Sequence, residues 1–139
     1  MTDTTPTESN LSGLDRKDFQ KNINSRKTDL YILKNAQGME VAVTNYGCAI
    51  LSIMVPDKNG KFANVILGHD SIEHVINSPE PFLSTTIGRY GNRIANGKFT
   101  LYGEEHLLTV NNGPNSLHGG PTGFHARVWD AVQPNESTV

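Results

Sequence analysis

At 139 residues the chain is long enough for one domain with a single modest core. Hydrophobic residues make up 36% and charged residues 19%, a globular rather than disordered composition, and a net charge of −2 excludes the basic surface that nucleic-acid binding requires. No apolar run is long enough to span a bilayer, so no membrane partner is expected, and the single cysteine, Cys48, excludes an intrachain disulfide or a cysteine zinc cluster.

The opening MTDTTPTESN has neither the basic nor the apolar region of a signal peptide, so the expected location is cytoplasmic. Residues 1–28 read as a mostly disordered or extended segment, polar at their start and without an apolar repeat. From Asp29 the pattern is β. Residues 29–33 form a short apolar run, 35–38 a turn, and 39–44 (MEVAVT) alternate in period two, with Met39, Val41 and Val43 on one face and Glu40, Ala42 and Thr44 on the other. Gly47 suits a bend at positive φ.

Residues 48–55 (CAILSIMV) read as a central strand covered on both faces, with Cys48 a buried, inert thiol. PDKNG at 56–60 is a tight turn, and 62–67 return as a strand. Residues 70–76 suit one or two helical turns with Asp70 or Ser71 as N-cap, and Pro79 and Pro81 stop them. KFTLYGEEHLLTV gives two short strands about a turn at 102–105, and Asn96-Gly97 reads as the hairpin turn leading into them. NNGPNSLHGGPTGF is a long loop with four glycines and two prolines, and 126–132 (ARVWDAV) reads as a last strand with Trp129 in the core. Short strands at regular spacing with turn signals between them predict an all-β sandwich or barrel.

No phosphate-binding loop, HExxH pair or nucleophile elbow is present, and the five histidines show no metal spacing. Two polar clusters on glycine-rich loops remain, GRYGNR and NSLHGG. Glycines there would let the backbone approach a ligand closely. Arg89 and Arg93 offer planar forks of donors, Asn92 both a donor and an acceptor, and His118 a group that donates, accepts or shuttles a proton near neutrality. Together they suit a neutral, hydroxyl-rich ligand such as a sugar. Each alone is as well read as a structural or solvated residue. His69, His74, His106 and His125 have no supporting context and are expected to be exposed or half-buried.

GRYGNRIANGKF, an apolar hairpin, NNGPNSLHGGPTGF and the nearby Trp129, preceded by VAVTNYGCAILSIMVPDKNG and LGHDSIEHV, resemble the aldose 1-epimerases (galactose mutarotases) over roughly residues 29–130. The resemblance implies a galactose-mutarotase-like β-sandwich, a supersandwich of which 29–139 would be the N-terminal part, roughly half. It implies a cofactor-free isomerase that interconverts the α and β anomers of aldohexoses such as glucose and galactose. By position, Asn92 and Arg93 match the family's sugar-binding Asn-Arg pair, and His118 matches the histidine of its Leu-His-Gly-Gly motif, with at most an auxiliary catalytic part. Arg89 takes a structural or supporting place, and Tyr90 occupies a slot that is often small in the family.

Mutarotation needs a base for the anomeric hydroxyl proton and an acid for the ring oxygen. In the family these are a second histidine and a glutamate much further along a chain about twice as long. Neither His125 nor Glu104, Glu105 or Glu136 matches them. The chain is therefore expected to be a fragment without the main acid/base residues, inactive in isolation, or else a non-catalytic or vestigial sugar-binding module. A phosphorylated hexose would call for a further basic cluster, which the sequence lacks. The residues leave the oligomeric state open.

Overall fold

The structure, a computed structural model, describes residues 10–139, and the disorder expected of residues 1–9 lies outside them. Over 10–28 the expectation of a mostly disordered or extended segment is corrected. Asp15 caps a 3₁₀ turn, Arg16–Phe19, and Phe19 is completely buried. Strands β1 (Asn22–Ile23) and β2 (Arg26–Lys27) form a small hairpin whose turn, Asn24-Ser25, is left-handed at both residues. The buried Thr28 hydroxyl donates to the Phe19 carbonyl at 2.7 Å and accepts from the Lys21 N–H at 3.0 Å. One large apolar side chain and one buried hydroxyl order a stretch whose composition reads as polar.

The main sheet is antiparallel in the order β3 (Leu30–Lys34), β4 (Glu40–Thr44), β5 (Ile50–Pro56), β6 (Phe62–Asn64). In β4 the face that meets the core carries Glu40, Ala42 and Thr44, all fully buried, while Val41 and Val43 are half-buried. A carboxylate lies inside because the chain ahead of the 3₁₀ turn satisfies it: Leu11 and Ser12 donate their N–H groups to its two oxygens at 2.9 and 3.0 Å. In β5 Leu51 and Ser52 are buried, Ile50 and Pro56 are exposed and Ile53, Met54 and Val55 half-buried, so the strand is not covered on both faces as expected. Cys48 precedes it in the bend, half-buried, with its thiol pushed up by burial.

Asn64 ends β6 earlier than the apolar run does. Its side-chain oxygen accepts from the N–H groups of Ile53 and Ile66, taking over a ladder bond. Helix α1 (Ile72–Ile76) starts at Ser71, whose hydroxyl accepts from the His74 N–H, and its Ile72 and Val75 join Phe19, Leu30, Ala42, Ala49 and Leu51 in the core.

Two small two-stranded sheets complete the described residues. β8 (Lys98–Leu101) pairs with β9 (Glu104–Leu107) about a left-handed Tyr102-Gly103 turn, and β7 (Arg93–Ile94) pairs with β10 (Ser116–Leu117). Asn96-Gly97 is a turn, but it passes the chain from one small sheet to the other rather than closing a hairpin. Residues 126–132 are not a strand. The segment is fastened to the bend at 45–47: Trp129 N–H donates to the Asn45 carbonyl at 2.8 Å, Asn45 Nδ2 returns a bond to the Trp129 carbonyl at 2.9 Å, and Gly47 N–H donates to Arg127. Among the described residues it has one bridge, Tyr46 to Val128, and no neighbouring strand to extend it. No helix among the described residues is long and apolar enough to cross a membrane.

Candidate functional site

The two glycine-rich motifs are joined by backbone. Strands β7 and β10 place Arg93 opposite Leu117 and Ile94 opposite Ser116, which sets Asn92 beside His118. Asn111 holds Leu117 at two points, its Oδ1 accepting the Leu117 N–H at 2.7 Å and its Nδ2 donating to the Leu117 carbonyl at 3.0 Å. Both Asn92 and His118 are left-handed, with φ of 68° and 55°. For a residue with a side chain this costs about 1–2 kcal/mol, so the surrounding bonds must enforce it.

They do so reciprocally. Asn92 N–H donates to His118 Nδ1 at 2.9 Å, and His118 N–H donates to the Asn92 carbonyl at 3.1 Å. A backbone N–H can only donate, so Nδ1 is the acceptor and the neutral ring carries its proton on Nε2. Arg93 is held at two of its three nitrogens: Nε donates to Asn112 Oδ1 at 2.8 Å and Nη1 reaches Asn92 Oδ1 at 3.5 Å, while Nη2, on the outer edge, has no hydrogen bond among the described residues. Asn92 and Arg93 are exposed and His118 is half-buried. The cluster therefore offers two free donors, His118 Nε2–H and the outer edge of Arg93, and the Asn92 amide beside them.

Two of the motif glycines, Gly88 and Gly119, are required by packing. A Cβ on Gly119 would stand 1.8 Å from the Gly88 carbonyl oxygen, and one on Gly88 would enter the Phe124 ring at 2.3 Å. The Gly88 carbonyl accepts from Phe124 N–H at 3.2 Å, and the Gly88-Arg89 peptide is cis. Arg89 lies over the Phe124 ring, 5.6 Å from its centre, and Trp129 meets the same ring edge-on at 5.0 Å while donating from Nε1 to the Phe124 carbonyl. Trp129 is half-buried, packed on Phe124 rather than in the main core.

One neighbour of the site escaped the sequence reading. His125, expected to be exposed or half-buried, is 7% exposed. The Phe82 ring stands edge-on to both imidazoles, 4.9 Å from His118 and 4.5 Å from His125. Burial, with the nearby His118 adding to it, holds the His125 imidazole below its ordinary pKa. No local sequence signal marks it: Gly47 and Gly123, far apart in the chain, leave room for the His125 backbone and ring, since a Cβ at Gly47 would stand 2.4 Å from the His125 carbonyl oxygen and one at Gly123 3.1 Å from its Nδ1.

A cavity of about 1090 Å³ is an open groove beside the cluster. Its lining is mixed: Arg89, Tyr90 and Asn92 together with Arg127 and Asp130 on the polar part, and Phe99, Leu107, Phe124 and Trp129 on the apolar part. Arg93 and His118 are outside its lining. Among the described residues no carboxylate hydrogen-bonds or ion-pairs with Asn92, Arg93 or His118.

The aldose 1-epimerase family model matches residues 29–139. A galactose mutarotase of Bos taurus is 43% identical over 91 residues, 66% of this chain and 26% of that protein. An aldose 1-epimerase of Escherichia coli (strain K12) is 40% identical over 110 residues, 79% of this chain and 32% of that protein. A solved GalM/aldose epimerase homologue from C. elegans superposes with a TM-score of 0.73 at 33% identity, covering 78% of this chain and 33% of that one. The likeness makes the strand-rich fold part of a galactose-mutarotase-like β-sandwich, and the chain spans about a quarter to a third of the length of these relatives. The chain belongs to the aldose 1-epimerase family.

Proposed function

We propose that the chain supplies the sugar-holding wall of an aldose 1-epimerase, with Asn92, Arg93 and His118 binding a neutral aldohexose such as glucose or galactose and Arg89 bracing the wall from behind. The observation that carries this reading is the reciprocal bonding of Asn92 and His118, which leaves His118 Nε2–H and the outer edge of Arg93 as fixed, unpaired donors. Hydroxyl and ring oxygens of a sugar accept such bonds. The Asn92 amide adds a donor at Nδ2, its Oδ1 already accepting the Arg93 N–H at 2.9 Å.

The reaction removes the proton from the anomeric hydroxyl, delivers one to the ring oxygen, opens the ring to the aldehyde and recloses it on the other face. His118 donates from Nε2, the one ring nitrogen left free, and is suited to hold an oxygen by a hydrogen bond; giving that proton up would leave a neutral ring as an imidazolate, so the acid must come from elsewhere. It is not suited to act as base through Nδ1, which the Asn92 N–H occupies. A base must come from outside the described cluster, so the 139-residue chain alone is expected to bind sugar without turning it over.

Polarimetry tests both parts. The 139-residue chain is expected to leave α-to-β conversion of glucose and galactose at the uncatalysed rate, while a chain carrying these residues together with an acid/base pair accelerates it. Accelerated mutarotation by the 139 residues alone would overturn the assignment of the base. A second reading, a sugar-binding module that never turns over, is favoured by the lack, among the described residues, of a carboxylate bonded to the cluster. It predicts galactose binding with no acceleration in any longer form of the chain.

A further inference from the structure

We propose that His125 is a positioning residue: through the Phe82 ring it fixes the plane of His118, and with it the direction of the Nε2–H donor. The inference rests on the sugar-binding reading for the purpose of that donor, but its geometry does not depend on it.

His118 has one hydrogen bond to its ring, at Nδ1, and a single bond fixes a direction but leaves the ring free to rock about it. The second constraint is Phe82, edge-on to His118 at 4.9 Å with an interplanar angle of 66°. Phe82 belongs to an irregular stretch after the α1 helix, with no strand to hold it, and is itself half-buried. Its other ring contact is His125, at 4.5 Å and 61°. Such contacts prefer a defined edge-to-face geometry, so the three rings constrain one another in series.

His125 is the fixed end of that series. The Phe124–Ala126 3₁₀ turn carries its backbone, and the bend at Gly47 packs directly on its carbonyl. A side chain on Gly123 would press on Nδ1 at 3.1 Å and on the His118 carbonyl at 2.8 Å, so this one glycine makes room for both histidines. The ring has no role in the hydrogen-bonded framework: Nδ1 is sealed from solvent and has no partner among the described residues. A sealed, unpaired imidazole nitrogen is costly, a cost that a purely structural apolar side chain would avoid. What the imidazole offers is a flat aromatic plate of five atoms, narrower than a phenyl, where two glycines leave little depth.

The test reads His118 directly, by nitrogen-15 NMR of the histidine rings in the whole 139-residue chain. The wild type is expected to show His118 wholly as the Nε2–H tautomer, with ring protons displaced by the Phe82 ring current. In His125→Ala, with the unfolding transition still cooperative, the displacement should collapse and the His118 ring should relax faster as it rocks, while the Nε2–H tautomer, held by the Asn92 N–H, persists. The dissociation constant for galactose should rise about tenfold, the order expected when a donor loses its alignment. His118 ring relaxation and ring-proton shifts unchanged in folded His125→Ala would overturn the proposal. Should His125→Ala not fold, Phe82→Leu decides on the ring relaxation: faster motion of the His118 ring supports the proposal, and wild-type motion overturns it. If the wild type binds no galactose, the sugar-binding reading falls while the ring-motion result still decides this one.

Discussion

His118 and Asn92 hold each other by two hydrogen bonds, Asn92 N–H to His118 Nδ1 at 2.9 Å and His118 N–H to the Asn92 carbonyl at 3.1 Å. The pair lies at the end of the β7–β10 ladder, each residue in the left-handed region, and together they join the two motifs into one surface. Everything proposed for the site depends on that join.

Arg93 is expected to bind sugar through the edge that Asn112 does not occupy. Arg93→Ala should weaken galactose binding by about 1–3 kcal/mol, the range for a lost hydrogen bond from a charged donor. Arg93→Lys should recover little of this, because an ammonium cannot bond Asn112 and a hydroxyl with the same planar fork. Calorimetric titration of the variants checks both; equal affinities would remove Arg93 from the site.

Gly119 is where the join is tightest. Gly119→Ala would put a Cβ 1.8 Å from the Gly88 carbonyl oxygen at a φ of 89°, whereas Gly60→Ala, at 80°, meets nothing within 4 Å. Gly60→Ala should cost about 1–2 kcal/mol, the left-handed penalty alone. Gly119→Ala adds a backbone displacement and should cost about 3 kcal/mol or more. Urea midpoints of the two variants compare them, and similar midpoints would refute the backbone contact.

The fully buried Glu40 carboxylate accepts the N–H groups of Leu11 and Ser12. Glu40→Ala leaves both donors without their acceptor and opens a cavity under β4. A loss of about 3 kcal/mol is expected, with faster amide exchange at Leu11 and Ser12. Exchange at those two amides as slow as in the wild type would contradict the strap.

Acid should loosen the structure at His125. The folded chain binds a proton there less readily than the unfolded chain, whose imidazole titrates near 6.5. As the pH falls through about 6.5, protons therefore favour the unfolded state and stability drops; above it this contribution is complete. The slope from this group is at most about 1.4 kcal/mol per pH unit. His125→Asn should flatten the stability profile between pH 7 and 5, as measured by urea unfolding at stepped pH. An unchanged slope would place the titration elsewhere.

The sequence carried the main sheet well because period-two alternation at 39–44 and the turn chemistry of 56–60 are local. Which face of β4 is buried was not local. Glu40 lies inside because Leu11 and Ser12, about thirty residues away, come back to satisfy it. Phe19 likewise orders the first segment through contacts with β3 and α1 that its polar neighbours do not announce. ARVWDAV alternates as a strand does, yet Asn45 and Gly47 take its backbone bonds and no partner strand lies beside it among the described residues. At the site, GRYGNR and NSLHGG were legible as a pair from their residue types. That their glycines pack on one another, and that His125 stands behind Phe82, depends on a fold-back that no local pattern records.

The central claim is that Asn92, Arg93 and His118 form one sugar-binding surface. Titration of galactose into the 139-residue chain, followed at the Arg93 side-chain and His118 ring signals by NMR, tests it most directly. Concentration-dependent shifts at both, with one dissociation constant, and their loss in Arg93→Ala are the result predicted. Signals at both residues that stay still at saturating galactose in a folded chain would contradict it.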